Sequence, residues 1–410
     1  MDLKFYRQPF SAWRLSESKV NTLKYAGMLF ALSGTLLLSA CSSPKSTAQT
    51  ASAQEPSSDN TANASQIQQK YQVEDIATFN EPWAIAKLPD GRLLITERQG
   101  KLKLFDPTSK QTLDVQGVPK VAYGGQGGLG DVVVHPHFAD NHWVYLSYAV
   151  QGQGDYGAEI SRAKLDLSNP QQPKLINLEK IWEQVPKMSG QGHYGHRMLF
   201  DYEDKLWVAS GERQHFDPAQ DMTSNLGKIL RLNEDGTPAE GNPFAGQAGV
   251  AQQIWSLGHR NPLGMALDLQ GQLWIVEMGP EGGDELNLIK KGANYGYPLV
   301  SEGNHYDGRP IPEHRTRPEF QAPAISWTPV ISPSSMIIYQ GDQFPLWQGK
   351  AVIGGLSSQS IVIVDLTQPV AKEVQRLDMG ERIRGVLAAN DGTLWIIQDG
   401  AQGKLLKMTP

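Results

Sequence analysis

Cysteine is almost missing from this chain: Cys41 is the single copy among 410 residues. One thiol cannot form a disulfide within the chain, so stability has to come from packing, closure of the fold or bound ions. Long apolar runs are equally scarce. The outstanding one, AGMLFALSGTLLLSAC at 26–41, has 15 residues before its cysteine. As a helix that stretch spans roughly 22 Å, short of the roughly 30 Å hydrocarbon core of a bilayer. A basic surplus is missing too. Lys and Arg number 37 against 43 Asp and Glu, a net charge of −6 without a Lys/Arg cluster, which argues against a nucleic-acid surface. No strand-Gly-x-Gly-x-x-Gly-helix segment is present, so a dinucleotide fold is excluded.

What is present begins with a leader. Residues 1–25 carry Lys4, Arg7, Arg14, Lys19 and Lys24 against Asp2 and Glu17, and Leu38, Ser39 and Ala40 precede Cys41. This is a basic segment, an apolar segment and small residues in secretion-signal order. The pattern is similar to a bacterial lipoprotein lipobox, which implies cleavage before Cys41 and lipidation of that cysteine. The alternative is an uncleaved N-terminal anchor. From Ser42 to Gln69 the chain is almost wholly Ser, Ala, Thr, Gln, Asn and Pro, with Lys45, Glu55, Asp59 and an isolated Ile67, a tether by composition. The expected organisation is a signal peptide at 1–40, a lipidated cysteine and linker at 41–70, and a folded domain at 71–410. The expected location is the bacterial envelope, facing the periplasm and anchored to a membrane, and Ser42 resembles signals sent on to an outer membrane.

A repeated phrase organises the domain. PDGRLLITER (89–98), ADNHWVYLSYA (139–149), EDKLWVASGE (203–212), LQGQLWIVEMG (269–279), FPLWQGKAVIGG (344–355) and NDGTLWIIQDG (390–400) each join a turn to a strand. Aligned on Leu94, Val144, Trp207, Trp274, Val352 and Trp395, they recur at intervals of 50, 63, 67, 78 and 43 residues. With 41 glycines and 26 prolines, the expectation is an all-β fold, a six-bladed β-propeller of four-stranded antiparallel blades. A pair of β-sandwiches is the alternative. In a propeller the active residues sit on loops around one mouth of the central channel.

Four loop phrases carry chemistry. AYGGQGGLGDVVVHPHF (122–138) has five glycines between 124 and 130, which bring backbone close to a flat ligand, with Gln126 facing it. GQGHYGHRMLF (190–200) offers His193, a candidate general base near neutral pH, and His196 three positions on. The alternatives are His196 as the base, or a weakly signalled zinc pair. SLGHRNPLGMALD (256–268) presents Arg260 and Asn261, a cation and an amide suited to a carboxylate or a developing oxyanion. EMGPEGGDELNLIKKGANYGYP (277–298) groups Gly279, Pro280, Glu281, Asp284 and Glu285, either a hard-cation site, calcium outside the cytoplasm, or solvated turn acids. Arg382 and Arg384 in GERIRGVLAANDGTLW form a guanidinium pair for an anionic ligand.

Taken in order, GQGG with HPHF, the histidine before Arg-hydrophobic-Phe, GHRNPLG, GPEGGDELN with ANYGYP, SPSSMIIYQGDQFPLWQGK, and GERIR with DGTLW resemble the bacterial soluble aldose sugar dehydrogenases that use pyrroloquinoline quinone (PQQ). These belong with the glucose/sorbosone dehydrogenases, and the resemblance runs over about 75–408. It implies a six-bladed propeller with PQQ flat over the channel mouth and calcium between quinone and protein. It also implies oxidation of the C1 hydroxyl of an aldose to a lactone, with electrons passed to a periplasmic or membrane acceptor. By that resemblance His193 removes the hydroxyl proton as hydride moves to the quinone, and Gln126 lies near sugar and cofactor. Arg260 polarises the quinone carbonyl, and Asn261 binds the cofactor beside it. The carbonyls of Gly279 and Pro280 hold the catalytic calcium. Arg382 and Arg384 meet the PQQ carboxylates, and Glu285 and Tyr295 contribute to a second, structural calcium site.

Two positions depart from the pattern. Gly192 stands where some members carry an aspartate beside the histidine, so the group orienting His193 must come from elsewhere. Ser357 stands where the family usually has a lysine that reaches the cofactor. Either Arg382, Arg384 and calcium suffice, or PQQ is bound poorly, or a neighbour such as Lys350 substitutes. Ser357 also keeps open a non-catalytic, lipid-anchored propeller that binds a sugar or an envelope protein.

Overall fold

The computed structural model describes residues 69–367 and 370–410. The expected signal segment, Cys41 and the linker up to residue 68 lie outside the described residues. Among the described residues, 24 strands form six four-stranded antiparallel sheets. Blades 1 to 5 are each continuous in sequence, and the last strand of the chain, Gly403–Thr409, pairs with the first, Gln72–Phe79, to complete blade 6. The innermost strands are Pro82–Lys87, Leu129–Val134, Gly195–Phe200, Pro262–Leu267, Pro333–Ile338 and Ile383–Ala388. Each touches the next, and the last touches the first, so the ring closes.

The expected repeat is the second strand of each blade. Leu94, Val144, Trp207, Trp274, Val352 and Trp395 all fall there, opposite Ala86, Val134, Leu199, Ala266, Ile337 and Leu387 of the innermost strands. Every residue of Leu93–Glu97, Leu206–Ser210, Leu273–Glu277, Ala351–Gly355 and Leu394–Gln398 is buried. A strand packed on both faces by neighbouring blades has no solvent side, which is why these phrases read as apolar runs instead of strict alternations. Six apolar clusters follow, one per blade interface; Phe105 of blade 1 packs with Trp395 of blade 6 in the cluster that seals the ring. Turn aspartates help place the large tryptophans. Asp201 and Asp268 each accept two backbone N–H groups of their own turn and an indole N–H six residues on, from Trp207 at 2.8 Å and Trp274 at 2.9 Å.

All six innermost strands break register near their first residues, at Pro82/Ala84, Leu129/Val132, Gly195/Met198, Pro262/Gly264, Pro333/Ser335 and Ile383/Gly385. A bulge re-aims the residue it releases from the ladder. The released residues include Trp83, Asp131, His196, Arg197, Leu263, Ser334 and Arg384, and these converge on the axis. Arg197 alone ties three other blades together, bonding Asp131 Oδ1 at 2.9 Å, the Leu263 carbonyl at 2.8 Å and the Ser334 carbonyl at 2.9 Å.

Candidate active site

A cavity of about 260 Å³ opens at the mouth where these bulges lie. It is lined from every blade: Trp83 and Arg98 from blade 1, Gln126 before blade 2, His196 from blade 3, Asn261 and Leu263 from blade 4, Leu356 from blade 5, and Arg382, Arg384 and Asp399 from blade 6. Only the end of the central channel can collect all six. Arg382 and Arg384 share Asp399, each with a contact of 2.9 Å. Gly125 lets the glycine-rich segment lie here, since its φ is +54° and a Cβ would stand 2.5 Å from the Gln191 carbonyl oxygen.

A second cavity, also about 260 Å³, has His193, Glu212 and Arg260 together with Gln214, Phe216, Tyr297 and Tyr306 in its wall. His193 Nδ1 lies 2.5 Å from Glu212 Oε1, and both residues are buried. The other carboxylate oxygen, Oε2, accepts the backbone N–H groups of His215 at 2.6 Å and Phe216 at 3.0 Å. Burial pushes the Glu212 carboxyl up, but His193 and the Phe216 N–H outweigh it and the net shift is downward. The carboxylate is therefore ionised and can only accept, so the imidazole proton sits on Nδ1 and Nε2 keeps its lone pair. Burial also carries the His193 pKa below the usual imidazole value against the pull of Glu212, with Arg260 adding to the lowering. A neutral imidazole with a free Nε2 beside an open cavity has what a general base needs. Gln126 fixes the same residue from behind, its Oε1 accepting the His193 backbone N–H at 2.8 Å.

Arg260 is anchored by its backbone N–H to Glu277 Oε2 at 2.7 Å and by its guanidinium to the Met278 carbonyl at 3.1 Å, while its Nε–H is buried without a partner. Asn261 lines the central cavity and accepts the Gly195 N–H at 3.2 Å. A third, narrow cavity of about 10 Å³, enough for one small ion or water, brings Gly279, Pro280, Glu277, Glu285 and Tyr295 together, so the residues expected at two separate calcium sites line a single cavity. Glu277 and Glu285 face each other across one antiparallel pair, and both accept from Asn287 Nδ2 at 3.1 Å. Glu277 has further donors in His259 and the Arg260 N–H. Glu285 has none of these; burial, then the Glu277 charge, pushes its pKa well up. The phenol of Tyr295 is committed to its own loop, donating to the Leu288 carbonyl and accepting the Lys290 N–H, and its carbonyl is met by His314 Nε2 at 2.9 Å, so neither oxygen of Tyr295 stands unpartnered. Among the described residues no three His, Cys, Asp or Glu side chains form a metal cage, so a cation here would rely on carbonyls as much as on carboxylates.

The two histidines of the GQGHYGHR phrase separate. His196 lines the central cavity instead of the second one, stacked on Tyr194 and edge-on to Trp83, and burial drops its pKa to about 3. The group that orients His193 is Glu212, which the sequence reading missed. A side chain at Gly192 would require Gln214 to move, because a Cβ there would lie 2.2 Å from Gln214 Oε1. Lys350 is ruled out as a substitute cation at the mouth: it pairs with Asp365 at 3.0 Å in a separate depression with Gln348 and Trp274. The cation sequence reading overlooked is Arg98. Arg98, Glu212, Glu277 and Asp399 share one signal, a charged residue at or near the end of the repeated strand phrase, and each lines one of the three cavities at this end of the propeller.

Residues 79–407 match the family described as Glucose / Sorbosone dehydrogenase. The chain belongs to this family. It is 38% identical over 341 residues to the aldose sugar dehydrogenase YliI of Escherichia coli K12, covering 81% of this chain and 91% of that one. Its fold is similar to the apo form of the soluble aldose sugar dehydrogenase of Escherichia coli, with a TM-score of 0.78, 36% identity and coverage of 83% and 100%. It is also similar to the PQQ-bound form of aldose sugar dehydrogenase from Streptomyces coelicolor, with a TM-score of 0.68, 29% identity and coverage of 83% and 99%. As a glucose/sorbosone dehydrogenase family member it is an enzyme of dehydrogenase type, which replaces the non-catalytic alternative.

Proposed function

We propose that this protein oxidises the C1 hydroxyl of an aldose to the lactone, with PQQ in the central cavity and calcium at Gly279 and Pro280. The observation that carries this reading is the His193–Glu212 pair opening on a cavity that Arg260 shares. The residues present fit the groups. Three guanidiniums line the central cavity against one carboxylate, and the buried Nε atoms of Arg98 and Arg260 have no partner, as a polyanionic ligand requires. The Glu277/Glu285 pair beside two carbonyls suits a hard cation. When bound, PQQ supplies the hydride acceptor and calcium the Lewis acid that strengthens it.

The protein's own part is proton removal and positioning. Nε2 of His193 takes the C1 hydroxyl proton, and the resulting imidazolium is stabilised by Glu212 through Nδ1. Arg260 offers a fixed cation to negative charge developing on its side of the cavity. Gln126 holds the His193 backbone and Asn261 the Gly195 backbone, so base and cavity wall keep their spacing. Phe216, Tyr297 and Tyr306 give the sugar's C–H faces an apolar wall. The reading extends to the leader: a lipid anchor at Cys41, a periplasm-facing envelope location and an electron acceptor in the periplasm or membrane.

Purified protein supplied with PQQ, calcium, an aldose and an artificial electron acceptor tests the proposal. Turnover to lactone is expected only when both PQQ and calcium are present, with neither NAD nor FAD replacing PQQ. Full activity in a chelated, PQQ-free preparation overturns it. Acyl labelling of Cys41→Ser tests the anchor separately, with loss of label expected.

A further inference from the structure

The cationic wall of the central cavity is unevenly neutralised. Arg382 and Arg384 share the one lining carboxylate, Asp399. Arg98, at the end of the second strand of blade 1, stands beside them because blades 6 and 1 are neighbours in the ring. One of its terminal nitrogens donates to the Gly125 carbonyl at 2.5 Å and the Gly127 carbonyl at 3.3 Å. The other lies 3.5 Å from Glu81, a rim residue whose second oxygen accepts the Tyr123 hydroxyl at 2.6 Å. Its Nε–H is buried with no partner. A guanidinium hydrogen-bonded at one tip, paired with a carboxylate at the other and carrying a buried, unspent Nε–H is fixed in place and still short of an acceptor.

The opposite flank of the arginine pair is bare of charge. Leu356 lines the cavity from blade 5, and next to it Ser357 donates its hydroxyl to the Val330 carbonyl at 3.3 Å. Lys350 is engaged with Asp365 elsewhere. The positive field at the mouth therefore runs from blade 6 to blade 1, where a lysine at 357 would have run it from blade 6 to blade 5. Like charges crowd at that end: burial lowers the Arg384 pKa, Asp399 opposes this, and Arg382 and Arg98 add to the lowering.

We propose that Arg98 is a third cationic ligand for the carboxylates of the bound quinone, supplying from blade 1 the charge that is missing at Ser357. The inference rests on PQQ as the cofactor. It also explains how the chain keeps a tricarboxylate site without the lysine, and it links cofactor binding to the glycine-rich segment, since Arg98 grips the backbone on either side of Gln126.

The test is titration of calcium-loaded apoprotein with PQQ, followed by quenching of tryptophan fluorescence and repeated across a salt series. Arg98→Gln is expected to raise Kd about tenfold or more and to flatten its salt dependence. Arg98→Lys, which keeps the charge but not the fork, should fall between. Adding Ser357→Lys to Arg98→Gln should recover most of the lost affinity, because charge returns at a place that cannot touch Gly125. Affinity of Arg98→Gln within twofold of wild type overturns the proposal. So does a loss with unchanged salt dependence that Ser357→Lys does not rescue, since that marks Arg98 as an anchor of the loop only. Failure of the wild type to bind PQQ overturns the cofactor reading as well, which separates the two. Should Arg98→Gln not fold, Arg98→Lys weakening and Ser357→Lys tightening PQQ binding carry the same comparison.

Discussion

Glu212 divides its carboxylate between His193 and the wall of the second cavity: Oε1 holds His193 Nδ1 at 2.5 Å, and Oε2 holds the backbone N–H of Phe216 at 3.0 Å. Glu212→Gln should therefore lower kcat by roughly 10²- to 10⁴-fold through loss of the tautomer and of imidazolium stabilisation, with PQQ affinity little changed. The pH profile carries a second check. The base must be neutral, so activity rises with pH through the His193 pKa, and burial sets that limb below the usual imidazole value. Removing the Glu212 charge removes the influence that raises this pKa, so the acidic limb of kcat/KM should move lower still. A limb that moves upward contradicts the assignment.

His196 gives a stability effect with the opposite site logic. Its pKa in the fold is about 3, because burial and then the nearby Arg213, Arg197 and Arg98 charges all disfavour the imidazolium, whereas the unfolded chain binds the proton near the ordinary imidazole value. The unfolded state binds more protons between these limits, so stability is full above about pH 6.5 and falls as pH drops towards 3. Denaturant unfolding of wild type and His196→Gln across that window should show a smaller pH dependence in the variant. With cofactor and calcium saturating, His196→Gln should also lose much less kcat than His193→Ala. The reverse order would transfer the role of base to His196.

The facing carboxylates Glu277 and Glu285 make the metal-free protein self-repelling at this point. Calcium should raise Tm and chelation lower it. Glu285→Gln should stabilise the chelated protein at pH 8 by about 1 kcal/mol or more while abolishing the calcium response. A Tm rise with calcium that survives in Glu285→Gln locates the ion elsewhere.

Phe216 sits at φ 59°, ψ −77°, with the Asp217 N–H bonded to the His215 carbonyl at 2.7 Å, a γ-turn of the strained hand. Its ring is partly exposed and meets His305 edge-on and Tyr297 at a tilt. Phe216→Gly should relieve about 1–3 kcal/mol of backbone strain, offset in part by lost contacts, and raise KM for the sugar more than it lowers kcat. Equal loss in both parameters would tie Phe216 to the chemical step.

Composition and repeat pointed to the six-bladed architecture, and ring closure removed the sandwich-pair alternative. A strand buried on both faces must be apolar throughout, and a turn must precede it, so Leu94 through Trp395 were visible as six equivalent points without any contact being known. Glycine-rich or charged loop phrases likewise exposed His193, Gln126, Arg260 and the Arg382/Arg384 pair, because such residues are unusual between short strands. What only the tertiary structure decided is partnership. Glu212 lies 19 residues from His193, and Arg98 lies 286 residues from Arg384 along the chain. Register across a blade makes the first pair, and closure of blade 6 onto blade 1 makes the second. The first needs only the strand pairing inside blade 3, whereas the second needs the ring to close. No local pattern encodes which strand ends will meet across that closure, since the meeting is a property of all six blades packed together.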